Sequence, residues 1–207
     1  MRITWLIIFF IVLFWSAIGP KDFILWLLQI TPVVVGFFLL VFTHKKFPLT
    51  RLLYLLILIY SIIIMVGSHY SYSDVPLFDS IRPYFGFERN NYDKIGHFAQ
   101  GFVPALIVRE ILIRKNVVES RSWMNFFIIC ICLAFSAFYE FVEWGVAVLS
   151  GKPAAVSLGT QGFIWDTQAD MAFALIGSLV ALIFFSKIHD KELKRLTPSI
   201  QVQDTST

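Results

Sequence analysis

The chain has 207 residues, of which 57% are hydrophobic and 15% charged, and a formal net charge of +3. Its mean hydropathy of +0.74 is too high for an ordinary soluble domain. The small positive charge is not gathered into a basic stripe, so nucleic acid is not expected among its partners. The composition indicates a membrane protein whose first partner is the lipid bilayer.

Long apolar runs separated by short charged stretches predict an all-α, polytopic membrane helix bundle with six transmembrane helices. The alternating strands of a membrane barrel would look different. The predicted spans are Ile3 to Gly19, Phe23 to Thr43, Leu52 to Gly67, Ile95 to Ile113, Met124 to Leu149 and Ala169 to Ser186. The first is expected to be an uncleaved anchor, because the second follows almost at once. Residues 1–188 are predicted to form this single domain, and the polar residues 189–207 a disordered tail.

The basic residues predict the orientation of the spans. Twelve Lys and Arg residues fall on one side of the six spans and five on the other. Because cytoplasmic loops are enriched in Lys and Arg, both the N- and C-termini and the tail are predicted to be cytoplasmic. All six tryptophans lie near a predicted span end, where an amphipathic ring favours the membrane interface, and this supports the span count.

Three motifs place ionisable side chains at one-turn spacing inside or beside apolar spans. They are Asp93-x3-His97, Glu140-x2-Glu143 and Asp166-x3-Asp170. With the predicted orientation, all three lie toward the outer face of the membrane. An acidic residue at the centre of a membrane helix costs roughly 2.5–3.5 kcal/mol, so the group requires a compensating partner, a cavity or a bound cation.

Carboxylates combined with one imidazole predict a site for a divalent cation (Mg, Mn, Fe or Zn) rather than a closed structural zinc site. The candidate metal ligands are Asp93, His97, Glu140, Glu143, Asp166 and Asp170. In an enzyme, His97, Glu140 and Glu143 would be the catalytic candidates. Other interpretations are open: a proton relay through the same residues, buried structural pairs, or Asp93 and Asp166 serving only as helix caps.

Other polar residues are given less weight. Arg109, Glu110 and Arg114 are interpreted as an interfacial set with snorkelling arginines, and His44, His69 and His189 as surface histidines. The loops 68–92 and 150–168 are expected to be lids, re-entrant segments or interfacial loops.

The segments 92–102 (YDKIGHFAQGF), 138–144 (FYEFVEW) and 159–170 (GTQGFIWDTQAD) resemble those of YjdF-like bacterial inner-membrane proteins. The resemblance covers most of the chain and implies a multi-pass protein of the bacterial inner (plasma) membrane. That family is described as being of unknown function, so the resemblance implies no activity.

A fainter resemblance is to the VanZ-like membrane proteins, through Asp93, Lys94 and His97, a Glu-bearing helix and a late acidic motif. VanZ is associated with glycopeptide resistance, which points to the cell envelope. The acidic motifs here differ in detail, so resistance is not carried over.

Together these features predict an outward-facing intramembrane site that binds or acts on an envelope lipid or a lipid-linked phosphate, with the cation polarising the phosphate. The alternatives are a small proton-coupled transporter and a structural or assembly protein without catalysis. Transport is disfavoured because the inner-half segments 102–108 and 126–134 carry no charged residue.

Overall fold

The structure, a computed structural model, describes residues 3–150 and 161–204, with side chains for 3–149 and 161–196. The described residues are mainly helical and contain no strand. The helices are α1 (Ile3–Ala17), α2 (Phe23–Thr43), α3 (Arg51–Tyr70), α4 (Pro76–Ile81), α5 (Tyr92–Arg114), α6 (Arg121–Ser150), α7 (Asp166–Val180) and α8 (Ser186–Asp204). Short 3-10 turns occupy Tyr72–Asp74 and Arg82–Phe85, and a π-helical turn at Ala181–Phe185 joins α7 to α8.

Five of the described helices are long and apolar enough to cross a membrane: α2, α3, α5, α6 and the continuous α7–α8 helix. The all-helical, multi-span architecture is therefore confirmed. Helix α1 has 15 residues. At 1.5 Å per residue it is about 22 Å long, against a hydrocarbon core of about 30 Å. The sixth span and the cytoplasmic termini stay predictions.

Two of the spanning helices begin at side-chain caps. Asp22 accepts hydrogen bonds from the backbone N–H groups of Ile24 and Leu25 at 3.0 and 3.1 Å. Thr50 accepts one from Leu53 at 3.4 Å. Such caps satisfy amides that have no partner within the helix, so they fix where α2 and α3 begin.

Helix α5 is at the centre of the bundle, where it packs against α3, α6 and α7. Glycines bring α7 closest. A Cβ at Gly101 would overlap the backbone carbonyl of Ala174, and one at Gly177 would overlap that of Phe98. Small residues at such a contact let two membrane helices touch along their backbones. The close contact places His97, one turn before Gly101, beside Asp170, one turn before Ala174.

The structure differs from the sequence analysis in the segment after Ile188. The helix continues to Asp204, and His189 and Leu193 are buried against α5 and α3. The beginning of the tail is therefore packed helix and not a disordered chain. Residues 205–207 of the predicted tail lie outside the described residues.

Two of the tryptophans also differ from their predicted interfacial role. Trp5 is buried and donates to the Tyr54 carbonyl at 2.7 Å, and Trp26 is buried and donates to the Ser16 hydroxyl at 3.2 Å. Both rings pack between helices, where their N–H groups find acceptors. The other four tryptophans are exposed, as an interfacial position requires.

Candidate functional site

Lys94 is the central cation of a charged cluster formed where α5 and α7 begin. Its Nζ lies 2.5 Å from Asp170 Oδ1, 3.0 Å from Asp166 Oδ1 and 3.5 Å from Asp93 Oδ2. The Lys94 side chain is 9% exposed, so these charge-assisted hydrogen bonds form in a largely dry environment. The sequence motifs identified the carboxylates, and Lys94 is the residue that joins them across two helices.

His97 lies between two of the carboxylates. Its Nε2 is 3.3 Å from Asp93 Oδ1 and 3.8 Å from Asp170 Oδ1, and its Nδ1 is 2.8 Å from Gln100 Oε1. An amide oxygen can only accept, so this network assigns a proton to Nδ1. The other ring nitrogen, Nε2, faces the carboxylates. Metal-binding histidines use the same arrangement, in which the second ring nitrogen donates to a polar neighbour.

Asp93, His97 and Asp170 offer three possible ligand atoms that all lie within 4.8 Å of one another. Two carboxylate oxygens and one imidazole nitrogen fit a divalent cation that keeps further positions open for water or substrate. Glu140, Glu143 and Asp166, which were predicted as ligands too, are outside this group of three.

Helix α6 adds two carboxylates near the group. Glu140 is buried, and its Oε1 has no hydrogen-bond partner among the described residues. Electrostatic interactions connect Glu140 with His97 and Asp93, and they connect Glu143 with Glu140, Asp93 and His97. One turn before Glu140, the buried Ser136 hydroxyl also has no partner among the described residues. Unpaired buried polar atoms carry an uncompensated desolvation cost, which a bound ligand would offset.

Asp166 is an ion-pair partner rather than a helix cap. Helices α5 and α7 have no side-chain cap hydrogen bond at their N-cap residues, Asn91 and Trp165. Asp166 Oδ1 instead accepts from Arg89 Nη2 at 2.5 Å and from Lys94. Arg89, which the sequence analysis did not single out, stacks over the Phe163 ring at 4.9 Å.

The two predicted outer loops are joined beside the cluster. Gln161 accepts from the backbone N–H of Asn90 and donates to its carbonyl, both at 2.9 Å. The Asn90 side chain in turn donates to the Val75 carbonyl and the Asp79 carboxylate. Residues 151–160 of the second loop lie outside the described residues.

A second charged group, which the sequence analysis misjudged, lies at the other end of α5. Glu110 is fully buried, and its carboxylate accepts from His189 Nε2 at 2.9 Å, Arg114 Nη1 at 2.9 Å and the Thr50 amide at 3.1 Å. Arg109 is 1% exposed and contacts His189 Nδ1 at 3.1 Å. The interpretations of Arg109 and Glu110 as interfacial and of His189 as a surface residue are wrong, because α8 folds His189 against α5.

The family model described as "Predicted membrane protein (DUF2238)" matches residues 1–191. The chain belongs to the DUF2238 family. It is 45% identical over 185 residues to the inner membrane protein YjdF of Escherichia coli (strain K12), which covers 89% of this chain and 88% of YjdF. No solved structure matches the chain.

Membership of the DUF2238 family confirms the resemblance found in the three motif segments, and it places the chain among integral proteins of the inner membrane. All three motifs lie within the residues that the DUF2238 model matches. Neither the family description nor the name of YjdF assigns an activity.

Proposed function

We propose that the cluster formed by α5, α6 and α7 binds a divalent cation and, through it, the phosphate of an envelope lipid or lipid-linked compound. The main support is the trio of Asp93, His97 and Asp170, whose ligand atoms lie within 4.8 Å of one another. His97 turns Nε2 toward both carboxylates and holds Nδ1 against Gln100. The second nitrogen's hydrogen bond orients the ring as it does in known metal sites.

The balance of charge supports a bound cation. Five carboxyl groups (Asp93, Glu140, Glu143, Asp166 and Asp170) share the cluster with the basic side chains of Lys94, Arg89 and His97. An excess of negative charge inside a membrane protein is relieved by protonation or by a cation. Without the cation the cluster would repel a phosphate, so phosphate binding is expected to depend on the cation.

The remaining candidates have distinct roles in this proposal. Asp166 holds Lys94 and Arg89 next to the metal site, where they are positioned to contact a phosphate. The unpaired Oε1 of Glu140 would accept a hydrogen bond from the bound molecule or coordinate the cation through water. If the bound phosphate reacts, Glu140, Glu143 and His97 are the candidates for proton transfer.

A structural role is the second candidate function, and Lys94 favours it. Its contacts with Asp166 and Asp170 already pair two carboxylates without a metal. Under this alternative the cluster only joins helices, and no ion binds. A proton-coupled transporter has less support, because α5 between the two charged groups buries apolar residues such as Phe102, Val103 and Leu106.

Metal analysis of the purified full chain tests the proposal. The protein in detergent is equilibrated with Mg²⁺, Mn²⁺ or Zn²⁺ and passed over a desalting column. The metal bound per chain is then measured by inductively coupled plasma mass spectrometry. About one ion per chain is expected in wild type, with at least a tenfold loss of affinity in His97→Ala and Asp170→Asn. The matched controls His44→Ala and Glu88→Gln, outside the cluster, should keep the ion. Equal, near-zero metal in wild type and all variants would contradict cation binding and favour the structural role.

A second measurement tests the phosphate. Binding of a polyprenyl monophosphate is compared with that of the unphosphorylated polyprenol, with cation and with a chelator. Cation-dependent binding of the phosphate alone is expected. Binding that is indifferent to the chelator would contradict a role for the metal in holding phosphate.

A further inference from the structure

An apolar cavity of about 550 Å³ lies beside the half of α5 that is remote from the charged cluster. Residues of α1, α2, α3 and α5 line it, with Pro32 and Val33 on one side and Val103 and Pro104 on the other. Its volume falls within the range of cavities that bind small molecules, roughly 300–1,000 Å³. The cavity shares no lining residue with the proposed metal site.

Gly36 of α2 leaves part of this space unfilled. It lines the cavity, and a Cβ placed on it would have no other atom within 4 Å. The facing side chains therefore do not close over this position. In a close-packed helix bundle, such space is filled by something outside the chain.

The two ends of the cavity differ in chemistry. Lys46 and Lys115 line one end, and both are exposed. Between them stands Phe47, whose ring lies 3.6 Å from the Arg114 guanidinium carbon and 5.6 Å from Lys115 Nζ. The other end is apolar, and Val103 and Ile64 contribute to it. The cavity thus has a cationic rim and an apolar interior.

The length of the cavity matches one leaflet of a bilayer. The lining residues run from Val103 in α5 to Lys115, directly after the end of α5, which is twelve steps along the helix axis or about 18 Å at 1.5 Å per residue. Half of a 30 Å hydrocarbon core is about 15 Å. A molecule that fills the cavity from the rim inward would therefore have the dimensions of a lipid chain whose headgroup lies at the membrane surface.

We propose that this cavity binds an anionic glycerophospholipid, with an acyl chain in the apolar interior and the phosphate headgroup at Lys46 and Lys115. Basic pockets between membrane helices bind anionic lipid headgroups for the same electrostatic reason. A zwitterionic lipid with the same chains would fill the interior equally well and lose the net attraction to the two lysines. The headgroup therefore decides the preference between two lipids with the same acyl chains.

The test measures lipid binding to the full chain in detergent by native mass spectrometry. Phosphatidylglycerol and phosphatidylethanolamine with identical acyl chains are titrated separately. Wild type is expected to bind phosphatidylglycerol at least tenfold more tightly. The double variant Lys46→Gln/Lys115→Gln should bind both lipids alike. Its matched control, Lys45→Gln/Lys191→Gln, removes two exposed lysines outside the cavity and should retain the wild-type preference.

A second variant tests whether the lipid acyl chain occupies the cavity. Gly36→Leu adds a side chain where no atom lies within 4 Å, so the protein is expected to fold, while affinity for both lipids falls at least fivefold. Three results would each overturn the proposal: no preference between the two lipids in wild type, an equal loss of preference in both lysine pairs, or full phosphatidylglycerol affinity in folded Gly36→Leu.

Discussion

At the scale of single residues, the two buried carboxylates Glu110 and Glu140 differ in how completely they are paired. Glu110 has partners on both oxygens, from Arg114, His189 and the Thr50 amide. Glu140 has a buried oxygen without any partner among the described residues. A fully paired buried group fixes one arrangement of helices, whereas a partly paired one stores a cost that a ligand relieves. This difference favours a structural role for Glu110 and supports the binding role proposed for Glu140.

The first prediction concerns Glu110 and His189. Removing one partner of a buried pair leaves the other uncompensated, so Glu110→Gln and His189→Gln are each expected to lower the free energy of unfolding by about 3 kcal/mol. The double variant should lose less free energy of unfolding than the two single losses added together, by more than about 1 kcal/mol, because the two side chains interact directly. Unfolding by SDS in mixed micelles measures this.

The control for that cycle is Glu119→Gln, an exposed acidic residue near the same end of α5. Its substitution should change the free energy of unfolding by less than about 0.5 kcal/mol. Full additivity of Glu110→Gln and His189→Gln would contradict a direct structural pair.

The second prediction concerns Asp74, which lies between the spans and bonds to Lys21 at 2.7 Å. Burial alone would raise the pKa of Asp74, but hydrogen bonds from Lys21 and Ser73 outweigh it and hold the pKa below the usual 3.8. A lowered pKa means that the bridge stabilises the protein above pH 3.8 and that this contribution is lost as the pH falls through the folded-state value. Carboxyl NMR titration should show the lowered pKa, and Lys21→Ala should raise it.

Spacing and charge predicted some site residues and not others. His97 and Asp170 were found because an ionisable group inside an apolar span is costly wherever its neighbours lie. His189 was missed because it follows the last apolar run, and the composition of a polar segment does not show whether it is exposed to water or packed against another helix. The partner that decides the matter, Glu110, is 79 residues away in the chain.

At the scale of elements, the contact between α5 and α7 builds the site. The helices touch at Gly101 and Gly177. Within two helical turns of these glycines, the same contact places Asp170 beside Lys94 and His97. Both glycines lie in apolar runs, where hydropathy gives no sign of which helix they face. The predicted spans began at Ile95 and Ala169, whereas the helices begin at Tyr92 and Asp166. Hydropathy marks the apolar core of a helix, and the polar first turns that carry the site fall outside it.

The third prediction is that Gly177→Leu will separate these helices. The added side chain would meet the backbone of α5, which cannot move aside as a flexible side chain can. We expect lower thermal stability and at least a tenfold weaker metal affinity, because Asp170 would move from His97. Gly145→Leu on α6 is the matched control, since a Cβ there has no atom within 4 Å. Equal behaviour of the two variants would show that the close contact does not position the site.

At the scale of the whole molecule, the contacts of α1 with α3 underlie the prediction that α1 is a sixth crossing. Trp5 near its start bonds to the Tyr54 carbonyl near the start of α3, and the Ser16 carbonyl near its end accepts from His69 near the end of α3. Helix α1 therefore runs parallel to α3 along most of a helix that is long enough to span. If α1 crosses the membrane in that direction, α2 supplies the return crossing between α1 and α3.

The fourth prediction follows from that count. Six crossings place both termini on the same side of the inner membrane, whereas five, with α1 outside the bilayer, place them on opposite sides. The distribution of Lys and Arg predicts that the shared side is cytoplasmic. Fluorescent-protein fusions at either end should therefore fluoresce, and alkaline phosphatase fused at either end should be inactive. Phosphatase inserted after Phe87, in the predicted outer loop, should be active. Phosphatase activity at one terminus alone would indicate an odd number of crossings. Activity at both termini would indicate the opposite orientation of the bundle, with the cationic rim at Lys46 on the outer face.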